Sequence, residues 1–158
     1  MKSITLGPSG IPCSAIGLGT WAMGGWMWGG GDDAAAVTAI HASLNAGVNL
    51  IDTAPAYGLG RAERVVGMAL QGRRHEAVIA TKCGLVWHTK KGTHFFDEDG
   101  HPVYRHLGRE SIIHELEQSL QRLRTDYIDL YITHWQDETT PVAQTMGTLL
   151  ELKAQGKI

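Results

Sequence analysis

Apolar runs begin near residues 15, 48, 77, 127 and 157, and a helical pattern fills the chain after each of the first four. Three of the four intervals are close to 30 residues. Such spacing is a βα repeat, four units deep. Connections of this kind imply a parallel sheet with right-handed crossovers. Two architectures remain open: a doubly wound sheet and a (β/α)8 barrel. At 158 residues the chain is long enough for one domain with a sizeable core, and it is treated as a single domain over 1–158.

The elements follow from local signals. Residues 15–20 read as a first strand. Asp32 or Asp33 can cap a helix through residue 46, where Val37, Ile40 and Leu44 recur at helical spacing and Gly47 closes it. A second strand over 48–51 leads to a helix over 61–71, and a third strand covers 77–81. A long polar connection over 84–108 contains Asp99-Gly100, able to turn a small hairpin. Ile112, Ile113, Leu116, Leu120 and Leu123 make one apolar stripe on a helix over 110–124. A fourth strand spans 127–133. Thr140 is expected to cap the next helix, with Pro141 at its first position, and Lys157-Ile158 resembles a fifth strand beginning.

Composition removes several classes. Hydrophobic residues make up 43% and charged residues 19%, a soluble globular balance. The formal net charge of −2 offers no basic field for a nucleic acid. No apolar run approaches the ~20 residues of a membrane span. The start, MKSITLGPSG, lacks the apolar core of a signal peptide, so the expected compartment is cytoplasmic. Two cysteines, Cys13 and Cys83, form no C-x-x-C and are expected as reduced thiols. Of eight histidines, His88, His94, His101, His106 and His114 scatter over one segment without ligand spacing. They are expected to be solvated loop residues, with no metal.

The stretch GLGTWA, residues 17–22, imitates the dinucleotide fingerprint G-x-G-x-x-A. That motif needs a helix to begin at once, so that its N-terminus meets a pyrophosphate. The following MGGWMWGGG is not expected to start one. Asp52 ends the second strand but lies too far on, since the ribose-binding acid belongs ~20 residues away. The better expectation is a strand whose glycines let something approach the backbone.

A barrel carries its chemistry on the rim at the C-terminal ends of its strands. Strand two ends in Asp52, with Tyr57 in the loop beyond; strand three ends in Lys82; strand four ends in His134. Neighbouring strands lie ~4.8 Å apart, so the three tips should gather within about 10 Å. Each residue has an ordinary explanation alone: a turn-forming Asp, a solvated Lys, a packed Tyr, a satisfied His. Their coincidence on one rim is what points to a site. A free phenol is a poor acid at neutral pH, and a nearby ammonium stabilises its phenolate. An Asp can hold that ammonium, and a His can orient a carbonyl oxygen or relay a proton. The set suits protonation of a carbonyl oxygen or the reverse. It contains no strong nucleophile and no metal set, so the group attacking carbon has to come from elsewhere, and a hydride cofactor is the natural candidate.

With these residues in view, the sequence resembles a bacterial aldo-keto reductase. IGLGTWAMGG, NLIDTAPAYGLGRAERVVG, VIATKCGL and RLRTDYIDLYITHW each match a family block, in family order. The resemblance implies a (β/α)8 TIM-type barrel, of which this chain covers about the first four βα units. It also implies a short N-terminal hairpin, Ile4 to Cys13, plugging the entrance. It implies NADPH-dependent reduction of aldehydes or ketones to alcohols, with Asp52, Tyr57, Lys82 and His134 as the tetrad and Tyr57 as proton donor. Gly19, Thr20, Trp21 and Asp52 would border the nicotinamide end of NADPH/NADP. Trp21, Trp28, Trp87 and Trp135 would wall a pocket for a small carbonyl substrate. Gln136 stands where the family usually has a proline. The family's remaining half carries most of the cofactor's other contacts, so full activity is expected to need a second half-barrel, and open sheet edges are expected to favour self-association. A binding or regulatory protein on the same fold, or an assembling half-barrel, are the alternatives.

Overall fold

The computed structural model describes residues 1–158. A two-stranded antiparallel hairpin comes first, β1 (Ser3–Thr5) against β2 (Pro12–Ser14), with Ile4 opposite Cys13. Then β3 (Gly17–Gly19), the single turn α1 (Trp21–Gly24), α2 (Asp33–Asn45), β4 (Leu50–Asp52) and α3 (Arg61–Ala69) follow. The chain continues through β5 (Val78–Cys83), β6 (Leu85–Val86), β7 (Thr93–Glu98), β8 (His101–Arg105), α4 (Arg109–Leu123), β9 (Leu130–Thr133) and α5 (Val142–Ala154).

The main sheet runs β3-β4-β5-β9, every pair parallel. Each new strand joins beside the one before it. A doubly wound sheet would reverse direction at a switch point; this one does not, and its order is that of consecutive barrel strands. Four helices cover one face only. Leu18, Ile51, Ile79, Cys83 and Tyr131 point to that face and join Ile40, Val65, Val66, Ile112, Leu116 and Leu152 in one core. Side chains alternate along a strand, so the intervening residues (Leu50 and Asp52, Ala80 and Lys82, Leu130 and Ile132) share the opposite, concave face. Leu130 there is exposed.

The hairpin of β1 and β2 is tied to the N-terminal end of β4. Ser14 and Asn49 exchange hydrogen bonds, Ser14 N to Asn49 Oδ1 at 2.6 Å and Asn49 N to Ser14 Oγ at 3.0 Å. It therefore closes the end opposite Asp52, Lys82 and His134, and the chemical rim stays open. No helix is long and apolar enough to cross a membrane.

Several local expectations shift. The segment after GLG does start a helix, α1, but Gly25 in the left-handed region stops it after one turn. Asp32 caps α2, accepting from Ala35 N at 3.0 Å. Thr140 does not cap α5; its hydroxyl donates to buried Asp137, and Pro141 stands at the helix start without a side-chain cap. Lys157-Ile158 forms no strand, though the Lys157 carbonyl accepts from Ile128 N–H beside β9. The connection over 84–108 is a three-stranded antiparallel sheet, β6-β8-β7. Asp99 and Gly100, both at positive φ, turn its hairpin. His114 lies on α4, not in a loop, and its ring meets that of His88 at 4.3 Å between centroids.

Candidate active site

The C-terminal tips of β4, β5 and β9 deliver three polar side chains to the open rim. Asp52 is opposite Ala80 and Lys82 is opposite Ile132, so Lys82 starts two residues further along. Its four-carbon stem reaches back. The ammonium donates to Asp52 Oδ1 at 2.9 Å, to Asp52 Oδ2 at 2.8 Å and to the Thr53 carbonyl at 2.8 Å. Three protons meet three acceptors, so a largely buried cation is fully satisfied. Asp52 remains accessible on its outer side, its side chain 41% exposed.

Tyr57 reaches the same place from the loop after β4. Its ring lies 5.0 Å from the Lys82 ammonium and 5.8 Å from the His134 ring, edge to face. Two glycines set the height of that loop. A Cβ on Gly24 would stand 2.5 Å from the Tyr57 carbonyl carbon, and one on Gly58 would stand 2.1 Å from the Gly24 oxygen. Backbone meets backbone here, and only glycine allows it.

His134 follows β9 directly, and its N–H donates to the Cys83 carbonyl at 2.8 Å, which fixes its height beside Lys82. Burial, reinforced by the Lys82 charge and opposed by Asp52, lowers its pKa from 6.5 to about 4. Its imidazole is neutral at physiological pH, with one N–H to give and one lone pair. The contacts thus run Asp52 to Lys82 to Tyr57 to His134.

Above this chain lies an apolar cavity of about 240 Å³. Tyr57 and His134 form its polar base; Trp21, Trp26, Phe95, Phe96 and Trp135 wall it. Trp26 stacks on Phe96 at 5.0 Å, and Phe95 meets Trp135 at 5.0 Å. Neighbours on a strand normally point to opposite sides. The pairing of β7 with β8 slips between His94 and Phe96, leaving Phe95 unpaired. This bulge re-aims the strand, so that both rings face the cavity.

The residues expected from sequence divide accordingly. Asp52, Tyr57, Lys82 and His134 come together. Trp21 and Trp135 wall the cavity. Trp28 does not; it packs edge to face on Trp21, 5.6 Å away, and is otherwise exposed. Trp87 does not either; it lines a separate recess with Pro55, His88 and Arg122, because β6 turns it away from the rim. Gly19 pairs with Asp52, and a Cβ built on it would meet no atom within 4 Å. Thr20 is buried, its hydroxyl donating to the Asp52 carbonyl at 3.0 Å. The backbone at Gly19, beside Asp52, is therefore open. Trp26, Phe95 and Phe96 are walls that the sequence reading does not name; the apolar pair ahead of the Asp99-Gly100 turn is a signal for the two phenylalanines, and none marks Trp26.

Comparison with known proteins gives a consistent result. The sequence model of the Aldo/keto reductase family matches residues 15–158. Aldo-keto reductase YhdN of Bacillus subtilis is 44% identical over 160 residues, covering 100% of this chain and 45% of that protein. The NADH-specific methylglyoxal reductase of Escherichia coli is 46% identical over 164 residues, covering 100% and 50%. Among solved structures, the glycerol dehydrogenase AKR11B4 from Gluconobacter oxydans superposes with a TM-score of 0.84 at 44% identity, covering 99% of this chain and 46% of that one. An aldo-keto reductase from Klebsiella pneumoniae in complex with NADPH gives 0.75 at 34% identity, covering 100% and 48%. The chain spans about half the length of the curated relatives it matches.

Proposed function

Because the chain belongs to the aldo/keto reductase family, we propose that it carries the proton-donating half of an NADPH-dependent carbonyl reductase, turning aldehydes or ketones into alcohols. One observation carries this: the contact chain Asp52–Lys82–Tyr57–His134 at the floor of an apolar cavity.

The roles follow from geometry and charge. Tyr57 donates its phenolic proton to the substrate's carbonyl oxygen. The Lys82 ammonium, held by Asp52, stabilises the phenolate left behind. Neutral His134 gives its ring N–H to the same carbonyl oxygen and so orients it. The aromatic walls exclude water and hold an apolar substituent. The open backbone at Gly19 fits the nicotinamide end of the cofactor, with Thr20, Trp21 and Asp52 bordering it. When bound, the cofactor supplies the hydride that the carbonyl carbon accepts. Proton to oxygen and hydride to carbon together balance the reduction.

The free edges of β3 and β9 and the exposed concave face at Leu130 are where a second half-barrel would close the site. The test is absorbance-monitored oxidation of NADPH, with NADH as a second arm, using 4-nitrobenzaldehyde. Turnover is expected when the chain is joined to the C-terminal half of YhdN, and Tyr57→Phe should reduce it by roughly 10²–10⁴-fold. Unchanged turnover in Tyr57→Phe overturns the assignment. Sedimentation of the chain alone reads its self-association.

A further inference from the structure

Glu98 ends β7 and is fully buried. Neither of its carboxylate oxygens has a hydrogen-bond partner of good geometry. A buried carboxylate left so is rare enough to need a reason. The loop that follows Tyr57 presents the complementary deficit. Gly58 and Leu59 hold φ values of 69 and 44, and their backbone N–H groups donate to no other backbone group. Those same two N–H groups favour the charged form of Glu98. Two acceptors in want of donors thus stand against two donors in want of acceptors. Leu59 and Phe96 also pack on one small core of Ala56, Leu85 and Val103. The hairpin that walls the cavity and the loop that carries Tyr57 therefore meet at Glu98.

We propose that Glu98 is a positioning residue: its carboxylate binds the Gly58 and Leu59 amides and so fixes the Tyr57 loop to the β7–β8 hairpin. The phenol and the aromatic wall then move as one body. The contact is strongest when the carboxylate is ionised, because a charged acceptor binds an amide more firmly. Burial first, and then the neighbouring charge of Asp99, raise the Glu98 pKa to about 7, with the two amides opposing. The other titratable groups on the elements around it are His94 and Asp97 on β7, which contact each other, His101, its cross-strand partner, with Tyr104 and Arg105 on β8, the last over the Phe95 ring, and Arg61, Glu63 and Arg64 on α3. Arg61 is engaged by Asp33 and the Gly31 carbonyl, and Glu63 by Thr81 and Arg122. No cation pairs with Glu98, so the amides are what hold its charge.

The test needs no turnover. Amide proton resonances of Gly58 and Leu59 in the full 158-residue chain should move downfield together as pH rises, with a shared midpoint of about 7. Glu98→Gln should abolish that titration, and hydrogen exchange at both amides should become roughly tenfold faster. Flat amide shifts in the wild-type chain overturn the proposal, and so does a titration that survives in Glu98→Gln, which would assign it to Asp99 or His101. The consequence for catalysis rests on the function proposed above. In a chain completed to an active barrel, Glu98→Gln should lower kcat and leave the KM for NADPH unchanged. A titration present without any turnover would refute the reductase function and leave the Glu98 contact standing. A lowered kcat without the titration would refute the contact.

Discussion

Lys82 faces Tyr57 as a charge and not as a hydrogen-bond donor. Its ammonium lies 5.0 Å from the centroid of the phenol ring, while its three hydrogen bonds run to Asp52 and Thr53. The cation is thus locked in place by groups that do not react, and it acts on the phenol through space.

Lys82→Met removes that charge and leaves Asp52 without a partner. Reductase turnover in a completed barrel should fall on the order of 10²-fold, the scale of one mispositioned proton-transfer group. Lys82→Arg should not restore it. A planar guanidinium cannot place three donors on the tip acceptors that a compact ammonium meets. Steady-state kinetics of both variants check this, and full activity in Lys82→Arg would contradict it.

On the other face of β5, Glu63 is fully buried and accepts from Thr81 Oγ1 and Arg122 Nε, both at 2.6 Å. Arg122→Ala strands that carboxylate. It should destabilise the fold by about 3 kcal/mol, since breaking a buried pair leaves a charge uncompensated. Urea unfolding followed by tryptophan fluorescence measures it.

Gly24→Ala would press a methyl against the Tyr57 carbonyl, 2.6 Å away, where no flexible side chain can yield. Forced overpacking of this kind costs typically ~1–3 kcal/mol. The melting temperature should drop, and the kcat of a completed barrel should drop with it, because the displaced backbone carries Tyr57. A variant with lower stability but unaltered kcat would separate the two effects.

Stability should respond to pH from two opposed sources. His134 titrates at about 4 in the fold against 6.5 ordinarily. The unfolded chain binds its proton first, so this contribution is present above pH 6.5 and is lost as pH falls toward 4. Glu115 behaves in the opposite sense. Burial, partly offset by the Gly84 amide, raises it from 4.5 to about 8. Its contribution is full below 4.5 and is lost as pH rises through about 8. Glu115→Gln, which copies the protonated form, should match the wild-type chain below pH 4.5 and exceed it by a growing margin as pH rises toward 8. Denaturation midpoints across that range decide the matter, and an alkaline loss retained by Glu115→Gln would count against it.

The sheet order and the gathering of Asp52, Lys82 and His134 on one rim were legible in the sequence for one reason. Strand periodicity near 30 residues orders the strands, and a parallel sheet puts the residues that end them on one rim. Asp52, Lys82 and His134 needed no long-range information beyond that. What escaped reading depended on contacts between elements distant in sequence. Thr140 resembled a cap, but buried Asp137 claimed its hydroxyl. Trp87 and Trp28 looked equivalent to Trp21 and Trp135, yet β6 and the α1 turn aim them elsewhere. Trp26 faces the cavity because Phe96 stacks on it, and nothing near residue 26 announces that partner. Nothing in the sequence marks Glu98 beside its turn, since the amides that favour its charge lie some forty residues earlier, at Gly58 and Leu59.

The unpaired residue at Phe95 has a consequence for how such a pocket can diversify. Deleting one residue there would restore plain alternation and swing one of the two rings out to solvent. The cavity would widen on one side while every rim residue kept its place. Length variation in this hairpin is thus a route to a reshaped cavity that leaves Asp52, Tyr57, Lys82 and His134 in place, a single insertion or deletion achieving what point substitution of a large aromatic would do only by opening a void.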